Sequence, residues 1–81
     1  RGVDGMTLDS EGNILATAGF NTSGPGPMIY HFDPEGRVIQ TFEAPEDSPT
    51  NCTFGGDKKD ILYVTFATGA VYMLEGTGLT G

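Results

Sequence analysis

The chain reads as short runs of alternating apolar and polar residues separated by glycine-bearing turns. Met6 to Asp9 alternates and then meets Ser10-Glu11-Gly12-Asn13, a turn whose glycine is free to take a positive φ. Ile14 to Ala18 is apolar enough for a strand covered on both faces. Gly19 to Pro27 carries Gly24-Pro25-Gly26-Pro27 and predicts a loop that is neither helix nor central strand. Met28 to Phe32 predicts a third strand with Met28, Tyr30 and Phe32 on one face. Asp33-Pro34-Glu35-Gly36 predicts a turn, Arg37 to Phe42 a fourth strand, and Glu43 to Pro49 an acidic connector.

The same pattern then begins again. Asn51-Cys52-Thr53-Phe54 matches Gly5-Met6-Thr7-Leu8, Ile61 to Thr65 matches the second strand, and Ala70 to Leu74 matches the third. Leu8 and Phe54 are 46 positions apart, Thr17 and Thr65 48. Four short strands recurring every 40 to 50 residues or so are the signature of propeller blades. The expected fold is all-β: residues 1–81 form a partial β-propeller, with 4–43 one four-stranded blade and 50–75 three strands of a final blade. Propellers close with roughly 4 to 8 blades. The expectation is therefore either the C-terminal piece of a longer chain, which is favoured, or three copies assembled into a six-bladed ring.

Composition narrows the function classes. The chain has 81 residues, enough for one small domain, and 13 Gly with 5 Pro make it turn-rich. No window carries a helical apolar period without a Gly or Pro inside it. The net charge is −7, with Arg1, Arg37, Lys58 and Lys59 as the basic residues. Four scattered cations do not neutralise a phosphate backbone, so nucleic acid is excluded as a partner. An acidic surface also disfavours anionic membranes, and no run of about 18 apolar residues is present. It does suit a bound cation. Cys52 is the single cysteine, so there is no disulfide framework. It is read as a buried, inert thiol. The compartment is left open, with the cytoplasm favoured. Two sequons, Asn21-Thr22-Ser23 and Asn51-Cys52-Thr53, carry little weight.

Candidate chemistry centres on Asp4. Strand order puts the entry to the first strand, the 19–27 segment, the 43–51 connector and the turn at Thr68-Gly69 at one end of the sheets. Arg37, Lys58 and Lys59 fall at the other end, so the Asp4 end is expected to be the more negative. Asp4 offers hard oxygen to a divalent cation, and it can also serve as general base toward a water. The competing reading is a turn aspartate capping backbone N–H groups beside Gly5. Asn51 occupies the second blade's equivalent of Gly5, so both are candidate pocket-lining residues. Asp9, Glu11 and Asn13 lack the terminal glutamate of a calcium loop and read as a hairpin turn. His31, the only histidine, reads as a surface or packing residue on the third strand.

Asp4 to Asn13, Phe32 to Gly36, Pro49 to Gly56, Leu62 to Thr65 and the tail from Met73 to Gly81 resemble the senescence marker protein / gluconolactonase / luciferin-regenerating-enzyme family. The resemblance covers essentially the whole chain. It implies a six-bladed propeller with one divalent metal in the central channel, hydrolysing sugar lactones or related esters. The family's metal is held by a glutamate, an asparagine and an aspartate, and its Asp-Gly motif maps onto Asp4. The other two ligands have no matching segment here. The family's proline before Asp-Gly is Val3 in this chain. Calcium is the first expectation for the metal, with zinc, magnesium and manganese as alternatives. The implied partners are a small lactone substrate and either the remaining N-terminal blades or further copies of the chain. Alone, the 81 residues are expected to be inactive. A non-catalytic propeller scaffold is the competing function, and a trimeric blade assembly the third.

Overall fold

Among the described residues, seven strands form two antiparallel sheets. The computed structural model describes residues 3–20 and 23–81. Strands β1 (Val3–Leu8), β2 (Ile14–Phe20), β3 (Ser23–Phe32) and β4 (Val38–Glu43) lie side by side in chain order. Strands β5 (Pro49–Gly55), β6 (Ile61–Phe66) and β7 (Val71–Leu74) form the second sheet, again in chain order. Among the described residues there is no helix, and so none long and apolar enough to cross a membrane.

The hairpins follow from local chemistry. In the β1–β2 turn, Asp9 Oδ1 accepts from the backbone N–H of Glu11 and of Asn13, each at 2.9 Å. The β3–β4 turn repeats this device, with Asp33 Oδ1 accepting from Glu35 N at 3.0 Å and Arg37 N at 2.9 Å. Both are Asx-type turns closed by a glycine at positive φ, Gly12 at 83° and Gly36 at 89°. An Asp-x-Glu-Gly sequence thus fixes the register of two hairpins in one sheet.

Of the segment expected to be a loop, Gly19 to Pro27, the described residues are strand: β2 runs to Phe20 and β3 starts at Ser23. Ala18 pairs with Met28 and Phe20 with Ser23, so Gly19 alone stands opposite residues 24–27. The prolines fall inside this wide bulge, where no ladder N–H is required of them. Pro27 contributes through its carbonyl, which accepts from Ala44 N at 3.2 Å. Asn21 and Thr22 of the first sequon, like Arg1, lie outside the described residues.

The core is the seam between the sheets. Leu15 and Ile29 of the first sheet pack against Cys52, Leu62, Val64 and Phe66 of the second, with Phe42, Phe54, Leu74 and Leu79 around them. Leu15, Ile29, Leu62 and Val64 are fully buried, each contributing about 1.5–3 kcal/mol relative to an exposed side chain. The innermost strands β1 and β5 lie against each other. Ala16 and Ala18 are buried on the opposite face of β2, so that strand is covered on both sides as its apolar run predicts.

The last residues tie the two sheets together. Ser10 N donates to Thr80 O at 2.7 Å, and Gly81 N donates to Lys59 O at 2.8 Å. The hydroxyls of Ser10 and Thr80 lie 2.9 Å apart. One hairpin of each sheet is thereby bonded to the same short segment.

Candidate functional site

β1 enters its sheet through a bulge. Val3 pairs with Ala18 and Met6 with Ala16, so Asp4 and Gly5 together stand opposite Thr17. Bulges bend a strand locally and re-aim the side chains they carry. Thr17 is completely buried, and its hydroxyl accepts from Gly5 N at 3.2 Å and faces Gly5 O, to which it donates, at 3.3 Å. Asp4 is exposed at the start of this bulge.

Gly5 is required here for space, since its φ is not in the left-handed range. A Cβ on Gly5 would lie 2.6 Å from Asn51 Cγ and 2.5 Å from Thr50 O. Two of the sequence-predicted residues, Gly5 and Asn51, are therefore in contact across adjacent inner strands. Asn51 is exposed, and its Oδ1 accepts from Cys52 N at 2.9 Å. The second sheet repeats the arrangement loosely: its ladder also slips between Pro49 and Asn51, and Thr65 Oγ1 donates to Asn51 O at 3.5 Å.

The same end carries a second polar cluster. Glu46, in the connector, accepts from the hydroxyls of Thr68 and Tyr72, the latter at 2.7 Å. The Thr68 and Tyr72 hydrogen bonds hold the Glu46 carboxyl below the ordinary glutamate range. The hydrogen bond to Glu46, and then its charge, push the Tyr72 phenol above its ordinary value. Tyr72 also meets Phe66 edge to face, with ring centroids 5.2 Å apart.

The expected charge asymmetry between the two ends is absent among the described residues. The Asp4 end carries four acids (Asp4, Glu43, Glu46, Asp47) and no described cation. The other end carries seven acids with Arg37, Lys58 and Lys59, leaving the same formal excess. Cations at one end do not imply fewer net negative charges there, because the hairpin turns are built on aspartate and glutamate.

Asp4 supplies an exposed hard-oxygen carboxylate, which fits one ligand of a divalent-cation site. The Asn51 side-chain oxygen is engaged by Cys52 N. Among the described residues no group of three or more His, Cys, Asp or Glu converges to hold an ion.

Sequence reasoning missed an interaction at the opposite end. His31 is buried rather than on the surface, and its Nε2 lies 2.9 Å from Asp9 Oδ2, which also accepts from Asn13 Nδ2 at 3.2 Å. Burial raises the Asp9 carboxyl, but its hydrogen bonds with His31, Asn13 and Glu11 outweigh burial and leave it below the ordinary range. A cavity of about 130 Å³ beside Asp9, Ser10, Glu11, Gly78, Leu79 and Thr80 belongs to the tail seam and does not reach Asp4.

Two radially ordered antiparallel meanders, with inner strands in contact and their faces packed together, are blades of a β-propeller. The chain belongs to the SMP-30/gluconolactonase/LRE-like family, whose profile matches residues 1–68. It is 35% identical over 78 residues to a pentonolactonase, XacC, of Haloferax volcanii, covering 96% of this chain and 23% of that protein. It is 41% identical over 66 residues to an uncharacterised protein of Sulfolobus acidocaldarius, covering 79% and 22% respectively. A solved luciferin-regenerating enzyme superposes with a TM-score of 0.84 at 28% identity, over 98% of this chain and 29% of that one. The chain thus spans about a quarter of the length of the proteins it matches.

Proposed function

We propose that these residues supply the aspartate ligand of a divalent-cation site in a six-bladed propeller that hydrolyses sugar lactones or related esters. The observation that carries the reading is Asp4, exposed at a bulge of the innermost strand within a chain of this family. The kinship with a pentonolactonase supports the substrate class. Calcium suits a carboxylate donor first, with magnesium, manganese and zinc as alternatives. When bound there, such an ion supplies Lewis acidity toward the ester carbonyl. Asp4 holds the ion or takes the proton of the attacking water, and Gly5 and Asn51 line the pocket floor beside it.

The remaining ligands come from further blades of the same ring, whether on a longer chain or on other copies. Exposed apolar residues on both outer faces support such neighbours: Met6 and Leu8 on one, Val71 and Met73 on the other. In the complete ring, Asp4→Ala is expected to reduce metal-dependent lactone hydrolysis by about 100-fold or more. Hydrolysis that survives the substitution refutes the assignment. Residues 1–81 by themselves are expected to be inactive.

A further inference from the structure

We propose that Thr17 is the positioning residue for Asp4, its buried hydroxyl locking the bulge that presents the carboxylate. The inference rests on the reading of Asp4 as a cation ligand and adds a residue to that site.

Thr17 is the one polar residue in the run Ile14 to Ala18, and it is fully buried. A valine would suit the strand equally well without burying a hydroxyl. The hydroxyl is used twice: it accepts from Gly5 N and donates to Gly5 O. The bulge leaves two residues of β1 opposite one of β2, and the Thr17 side chain stands in for ladder bonds at the point where pairing slips. From the other side, Thr50 and Asn51 close against Gly5 and leave no room for a Cβ. The peptide unit that follows Asp4 is therefore held from β2 by hydrogen bonds and from β5 by contact. A metal ligand tolerates only about 0.5 Å of misplacement, so this bracing is worth measuring as affinity.

The second sheet carries a hydroxyl at the repeat-equivalent position, Thr65, on the face that also exposes Val71, and there it is shared between Thr50 Oγ1 at 2.9 Å and Asn51 O at 3.5 Å.

The test is calorimetric titration of calcium, and in parallel manganese, into the complete metal-free protein, with Asp4→Asn as reference. Thr17→Val is expected to raise Kd about tenfold or more, in the range found for outer-shell partners of metal ligands. Thr17→Ser, which keeps the hydroxyl, should restore Kd to within about twofold. If Thr17→Val does not fold, Thr17→Ala against Thr17→Ser decides the same question. Wild-type binding that Asp4→Asn abolishes but loss of the Thr17 hydroxyl leaves intact overturns the role of Thr17 alone. A wild-type protein that binds neither these two ions nor, titrated in the same way, magnesium or zinc overturns the reading of Asp4 and this inference with it.

Discussion

His31 Nε2 and Asp9 Oδ2 meet at 2.9 Å with side-chain exposures of 5% and 4%, joining the third strand to the first hairpin turn. An ionised Asp9 accepts only, so Nε2 is the donor, and Nδ1 is left without a hydrogen-bond partner among the described residues. Asp9 thus serves the turn through Oδ1 and the sheet interior through Oδ2.

Asp9→Ala removes both functions and strands the His31 ring. The expected loss is about 1–3 kcal/mol, the usual cost of leaving a buried donor unsatisfied, measured by urea denaturation at neutral pH. The pH dependence has a definite sign. Because the Asp9 carboxyl lies lower in the folded state than in the unfolded one, its contribution is complete above the ordinary value of 3.8. It is lost as pH falls below that value and through the folded pKa. Wild-type stability should therefore run parallel to that of Asp9→Ala above about pH 5 and fall more steeply than it once the pH drops below about 4.

Gly5→Ala places a methyl against Thr50 O and Asn51 Cγ. Backbone on one side makes relief by side-chain motion insufficient, so β1 and β5 must separate. A loss of about 1–3 kcal/mol is expected, read as a lower midpoint in thermal melting.

Cys52 is sealed in the seam, its Sγ donating to Leu15 O at 3.7 Å, and burial pushes the thiol up to about 11. Alkylation at pH 8 should be slow in the native protein and should accelerate with urea in step with unfolding. Rapid native labelling would show that the two sheets do not stay packed.

Glu46→Gln removes the charge that opposes ionisation of Tyr72. The phenol should then titrate at lower pH, with the wild-type-minus-Tyr72→Phe ultraviolet difference isolating its signal.

Much of this structure is legible in the sequence because each strand alternates and each hairpin advertises its turn chemistry. Asp33-Pro34-Glu35-Gly36 is such a case: the carboxylate, the proline and the glycine each suit one position of the turn. Gly19 to Pro27 misleads for a related reason. Glycine and proline are read as breakers, yet here they fill a bulge whose two flanks still pair. At the candidate site, Asp4 stands out by its motif, and Asn51 by its place in the repeat. The contact between Gly5 and Asn51 joins residues 46 positions apart, and only assembly of the sheets reveals it. Thr17 did leave a signal, a lone hydroxyl within an apolar run, but its partner is set by a slip in register that periodicity does not display. Asp9 and His31 are likewise joined by the radial stacking of strands, which local pattern does not encode.

The short segment bonded to Ser10 and to Lys59 has a mechanical consequence. With the connector at one end and this latch at the other, the blades are fastened at both ends and cannot hinge about a single joint. They should come apart in one cooperative step, and cutting the latch should free the first hairpin to open ahead of the rest.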